Sequence, residues 1–217
     1  MTERAEPTRF EFGLSASPSE PLRDWEPIAR HWHARTARLL QQCGGVDAPF
    51  VHAEHGNMHN FLLAAELSGT ATLREVIGSR GQSGGRLDAV LLHDGRRDFI
   101  EAKFAEFRLN ADGSPSPGAL AKCERHLSDA QEQVRVWWNE HPMYLDTRLS
   151  ERRIALLFVA AHLPNFSEEG DVRLTRYVDA MRTIRHDFLT WSFPGSARMF
   201  SYWGRHYPGV IALARLA

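Results

Sequence analysis

Asp88, Glu101 and Lys103 are the residues whose types and spacing point to chemistry. Two β-prone runs, Arg86 to Leu92 and Asp98 to Phe104, flank Asp94-Gly95, a dipeptide favoured by type I′ hairpin turns. With Asp94 and Gly95 at the centre, His93 faces Arg96. Counting outward then sets Val90 against Phe99, Ala89 against Ile100 and Asp88 against Glu101. Directly opposed residues have Cβ atoms about 4.5–5.5 Å apart, so two like charges there repel. Alternation puts Glu101 and Lys103 on one face and Ile100, Ala102 and Phe104 on the other, which brings an amine beside the acids. Close carboxylates supply hard oxygen ligands for Mg²⁺ or Mn²⁺, and an ion would relieve their repulsion. The competing expectation is a solvated sheet face on which Lys103 and Arg86 merely pair with the acids. Convergence through a separately legible turn favours the site.

The surrounding elements read as an α/β domain. Residues 2–23 look like an irregular arm. Trp25, Ile28, Ala29, Trp32, Thr36, Leu39 and Leu40 predict a helix over Trp25 to Gln42. A second helix is expected to start near Asp47 as N-cap, with Pro49 in its first turn and a stripe of Phe50, Val51, Met58, Phe61, Leu62 and Ala65. Thr70 to Gly78 is ambiguous between helix and strand, and Ser79 to Gly85 is a glycine-rich loop. After the hairpin come a helix from Ala119 to about Trp138, a strand over Ile154 to Ala161, a helix over Thr175 to Leu189 and a strand over Val210 to Ala214. That order predicts a mixed sheet flanked by helices in one domain spanning 1–217.

The strings Arg86-Leu87-Asp88-Ala89-Val90-Leu91 and Phe99-Ile100-Glu101-Ala102-Lys103 resemble the PD-(D/E)xK, or restriction-endonuclease-like, nuclease superfamily. Gly84-Gly85-Arg86-Leu87-Asp88 is also similar to archaeal Holliday-junction resolvases, with Leu87 where the motif's name has proline. The resemblance covers about Glu54 to Ala161. It implies a restriction-endonuclease-like mixed β-sheet core flanked by α-helices, and a Mg²⁺- or Mn²⁺-dependent deoxyribonuclease serving repair, restriction or phage defence. Asp88 and Glu101 would bind the metal, and Lys103 would position or activate the attacking water. A helical glutamate often completes such sites. Glu54 is the first choice because it falls within the apolar stripe of the second helix, where a charge needs a partner; Glu66 is the alternative.

DNA is the implied partner, and many such nucleases act as homodimers. Arg80 and Arg86 are candidate phosphate contacts, with Arg96, Arg97 and Arg108 further possibilities. Gln133 to Trp137 is similar to the glutamine-and-tyrosine helix motif of some RecB-like nucleases, with Trp for Tyr, which adds Gln133 as a contact. The plain reading of that helix packs Val134, Trp137 and Trp138 into the core.

Net charge is -1 at pH 7, so any grip on a polyanion must come from a local patch. That balance gives weight to an alternative: a catalytically inactive nuclease-fold protein acting as a nucleic-acid or protein binding module. His52, His55 and His59 offer a third, weaker reading as zinc ligands, without an HExxH motif. Cys43 and Cys123 lack zinc-ribbon spacing and are expected reduced. The first twenty residues lack the apolar centre of a secretory signal, so the expected location is cytoplasmic. The aromatic tail, Trp191 to Tyr207, is expected to pack rather than stack on bases.

Overall fold

The strand from Ser150 to His162 is apolar at nearly every step from Ile154 onward, which suits a strand buried on both faces, and the fold is arranged around it. The computed structural model describes residues 11–15, 21–43, 47–51, 53–77, 86–141, 149–163, 170–195, 197, 201–202 and 204–217. In chain order the elements are β1 (Phe12–Ser15), α1 (Glu26–Gln42), α2 (Ala53–Leu67), β2 (Ala71–Ile77), β3 (Arg86–His93) and β4 (Arg96–Arg108). There follow α3 (Pro117–Glu140), β5 (Ser150–His162), α4 (Gly170–Arg182), β6 (Phe188–Ser192), β7 (Ser201–Tyr202), β8 (Arg205–His206) and β9 (Val210–Leu216). Seven strands form one mixed sheet in the order β1-β6-β9-β5-β4-β3-β2, while β7 and β8 pair separately.

Among the described residues only β4 and β5 run parallel, in register from Arg96↔Ser150 to Arg108↔His162. Parallel neighbours need a long crossover, and α3 provides it. Its start is set by Ser116, whose side chain accepts a hydrogen bond from the Ala119 N–H (3.2 Å), with Pro117 in the first turn. Alternate residues of β5 serve two cores. Ile154, Leu156, Phe158 and Ala160 pack with Trp25, Trp32 and Phe61 around α1 and α2. Ala155, Leu157, Val159 and Ala161 pack with Leu127, Tyr177 and Met181 from α3 and α4. A smaller cluster joins Leu87, Val90 and Phe99 to Val134 and Trp137.

Several expectations need correction. The second helix is not continuous from Asp47: a 3₁₀ turn over Pro49–Val51 precedes α2, which starts at Ala53 with a positive φ of 48°. Asp47 instead accepts from the N–H of the next residue, Ala48 (2.7 Å). The ambiguous Thr70 to Gly78 stretch forms β2, whose pairing with β3 overrides its helix formers. The expected helix over Thr175 to Leu189 starts earlier and ends at Arg182, where Thr183 Oγ1 donates to Ala180 O (2.7 Å). Phe188 and Leu189 pair with Ala214 and Leu213 instead, burying aromatic and aliphatic side chains between two cores. Phe12–Ser15, inside the expected irregular arm, is an edge strand paired with β6. Finally, the β3–β4 turn has the expected two residues, but of the pair only Gly95 has a positive φ (71°), so it is not type I′. No helix among the described residues is long and apolar enough to cross a membrane.

Candidate active site

The site begins at an irregularity in β2 and β3. In a regular strand residues 87 and 89 share a face. Here Leu87 and its partner Val76 pack on the α3 side, while Ala89 and Leu91 pack on the α1–α2 side. Both strands change facing at the rung of Glu75 and Asp88, which the β2–β3 ladder skips, and Glu75 takes a φ of 50°. The β3–β4 ladder likewise runs from His93↔Arg96 to Ala89↔Ile100 and stops. Asp88 therefore does not pair face to face with Glu101 as counted from the turn. Its Oδ2 instead accepts the Ala102 backbone N–H at 2.7 Å, substituting for a main-chain acceptor where the strands part.

The two acids remain electrostatic neighbours. Glu101 is 8% exposed, so it does not lie on a solvated face, and Lys103 Nζ donates to its Oε1 at 2.8 Å. Burial pushes the Glu101 carboxyl up to about 7; the Lys103 hydrogen bond and charge oppose this, while the charges of Asp88 and Glu54 add to it. Glu54, half-buried in the first turn of α2, is also raised, first by burial and then by Asp88, against Lys103, His55 and Arg86. Three carboxylates thus sit within electrostatic reach of one ammonium. Arg86 lies 3.5 Å from Glu75, and its charge also acts on Glu54. Glu66 accepts from Thr72 Oγ1 (2.6 Å) near the other end of α2, so of the two helical acids Glu54 is the one that acts electrostatically on Glu101 and is acted on by Asp88.

Beside these acids a cleft of about 450 Å³ opens toward α3. Arg86, Glu101 and Lys103 line one wall; Glu132, Gln133, Val136 and Trp137 line the other. Gln133 and Arg86 are therefore brought to the site, whereas Arg80 lies outside the described residues. Gln131 is engaged elsewhere, donating to Leu216 O (2.6 Å). Arg96 belongs to another network, Arg97 lies 4.0 Å from Glu151, and Arg108 ends β4.

Comparisons with family models, curated proteins and solved structures find no match to this chain.

A second charged cluster escaped sequence reasoning. Asp98 is fully buried and receives hydrogen bonds from Trp25 Nε1 (2.9 Å), Arg96 Nε (3.2 Å) and Arg152 Nε and Nη2 (2.8 and 2.6 Å), with His93 Nε2 at 3.0 Å. Arg152 also grips Asp24 through two nitrogens (2.9 and 3.0 Å), and Arg96 reaches Asp24 too. Burial alone would raise the Asp98 carboxyl, yet the bonds from His93, Arg152 and Trp25 and the Arg152 charge hold it well below the usual range. A signal was present: Asp98 shares strand parity with Ile100 and Ala102, and a charge at a core-facing position demands partners.

Among the described residues, Asp24, His93 and Asp98 are the one group of three His, Cys, Asp or Glu donors mutually within 4.8 Å; Glu54, Asp88 and Glu101 are spread more widely. Holding one ion on Glu54, Asp88 and Glu101 together would require at least one of these side chains to move closer. Two guanidiniums already balance Asp24 and Asp98, so an ion there would have to displace them.

The histidine helix fares similarly. His52 lies outside the described residues, and His59 Nδ1 is 2.8 Å from Arg74 Nη1. Burial and the charges of Arg74 and Arg35 lower the His59 pKa, an environment that opposes a bound cation. Cys123 is buried, which pushes its thiol up to about 12, and Trp191, Phe193 and Tyr207 are buried.

Proposed function

We propose that this chain is a metal-dependent deoxyribonuclease of the PD-(D/E)xK type, with Glu54, Asp88, Glu101 and Lys103 as its reacting groups. The observation that carries this reading is the charge imbalance: three carboxylates from α2, β3 and β4 gather where the hairpin opens, with Lys103 their nearest ammonium and two of them pushed toward protonation. Carboxylate oxygens are the donor set that suits Mg²⁺ or Mn²⁺. Glu54, Asp88 and Glu101 would hold the ion, which when bound would polarise a scissile phosphate and acidify its own water. The order α2-β2-β3-β4-α3-β5, with β4 and β5 parallel, supports reading the sheet as restriction-endonuclease-like.

The chain's own residues divide the work. The Ala102 amide fixes the direction of Asp88. Lys103, 2.8 Å from Glu101, can orient a water or a phosphate oxygen through its remaining N–H groups. Arg86 and Gln133 line the cleft as contacts for the strand being cut. A cytoplasmic role in repair, restriction or phage defence fits this activity.

The test is incubation of the purified protein with linear, branched and single-stranded DNA plus Mg²⁺ or Mn²⁺, alongside Asp88→Asn and Lys103→Ala. Metal-dependent cleavage that either substitution removes supports the assignment; cleavage surviving both rejects it. Absence of cleavage, together with no calorimetric heat from either ion, would leave the inactive binding module in its place.

A further inference from the structure

The acids are flanked by walls of different character. On the α3 side the cleft carries Glu132, Gln133 and Glu140. On the opposite flank, where α1, α2 and β2 meet, one guanidinium contacts the His59 imidazole and a second is held by the adjacent Asn60. Arg35 Nε donates to Asn60 Oδ1 (3.1 Å), Asn60 Nδ2 donates to Thr36 Oγ1 (2.9 Å), and Thr36 Oγ1 donates to Trp32 O (2.8 Å). Arg74 Nη1 binds His59 Nδ1 (2.8 Å), and the charges of both arginines are felt at His59. Each guanidinium is thus oriented by a neutral acceptor, and among the described residues neither forms an ion pair with a carboxylate. Glu66 supplies the opposing charge nearby and is itself engaged by Thr72.

From this we infer that Arg35 and Arg74, held by Asn60 and His59, form a clamp for a backbone phosphate of the nucleic acid about two nucleotides along the strand from the phosphate at Asp88. The inference rests on the nuclease reading and adds the path of the strand. Arg74 shares a surface hollow with His55 and Glu75, and Glu75 occupies the rung of Asp88. Glu54 to His59 spans roughly 7.5 Å of helix axis, about two nucleotides of duplex rise, so one strand can reach both places. Guanidinium forks match phosphate oxygens, whereas the carboxylates of the α3 wall repel them. The backbone would therefore run over α2 and β2, leaving the α3 cleft to sugar and base.

The experiment is fluorescence anisotropy of a labelled duplex and a labelled single strand in EDTA, where no cleavage occurs, across a series of salt concentrations. Each of Arg35→Ala and Arg74→Ala should reduce the slope of log affinity against log salt by about one, and the double variant by about two. Arg182→Ala on α4 serves as the control and should keep the wild-type slope. Unchanged slopes in the double variant overturn the clamp, as does an equal loss in the control. Tight binding of inorganic phosphate without any binding of DNA overturns the nucleic-acid occupant. Because the readout needs no catalysis, a slope that falls as expected in a protein that never cleaves DNA sustains the clamp while the nuclease reading fails.

Discussion

Asp98 and Glu101 stand three residues apart on β4, on opposite faces of the sheet, and both are buried. Around Asp98 every carboxylate has its guanidinium: Arg96 and Arg152 face Asp24 and Asp98, with Trp25 and His93 taking further lone pairs. Around Glu101 three acids share Lys103. Asp98 is drawn toward ionisation, while Glu101 and Glu54 are drawn away from it. Burial is common to both, so the difference lies in the count of counter-charges. A saturated network locks the segment before α1 onto the start of β4 and β5. An undersaturated one stores repulsion that a ligand can relieve.

Substitutions should separate the two. The largest effect is expected on catalysis: Asp88→Asn and Lys103→Ala should each lower kcat by about 10²- to 10⁴-fold, with circular dichroism and thermal midpoint close to wild type. Asp98→Ala should do the reverse. Two half-buried guanidiniums would be left with Asp24 alone, at a cost of up to about 3–5 kcal/mol. At about 2–4 °C per kcal/mol for a chain of this size, Tm should fall by up to roughly 6–20 °C, while cleavage per folded molecule persists. A variant with unchanged Tm would remove the claim that this network is structural.

Glu101 offers a sharper contrast through pH. Its folded pKa, about 7, lies above the ordinary value of 4.5. Its stabilising contribution is therefore complete below the ordinary value and is lost as pH rises through about 7. Glu101→Gln should escape that loss and, in EDTA above pH 7, exceed wild type by up to about 3 kcal/mol in urea denaturation. The same variant should gain no stability from Mg²⁺. In wild type, Mg²⁺ binding near about pH 6 should release up to about one proton, detected by calorimetry in buffers of different ionisation enthalpy, and the release should vanish in the variant. Asp98 has the opposite sign: its depressed pKa contributes stability present above the ordinary carboxylate range and lost as pH falls through its folded value. The smallest effect belongs to Glu66→Gln, expected to change stability by less than about 0.5 kcal/mol and Mg²⁺ affinity not at all. A large loss of metal binding there would return the choice between Glu54 and Glu66 to the open.

Much of this arrangement was legible in the sequence. Asp94-Gly95 with alternating residues on both sides fixed the hairpin register, and the apolar run from Ile154 fixed the central strand. The Glu101–Lys103 pairing followed from strand parity alone. The rung at Glu75 and Asp88 did not, because a local reversal of facing depends on how two neighbouring strands twist together and not on either string. The Asp24–Arg152 contact joins residues far apart in the chain, and no periodicity announces such a meeting. Phe188 and Leu189 read as the end of a helix because their partners in β9 come more than twenty residues later.

The hydrogen bond between Ala102 N–H and Asp88 Oδ2 bears on affinity as well as on strand geometry. A free carboxylate rotates about its last bond, and a ligand must halt that rotor before it can coordinate. Here the main chain has already halted it during folding, because one oxygen is tethered by the Ala102 amide. The entropy of ordering is charged to the native state, and on the proposed reading an incoming ion would meet a donor that is already still.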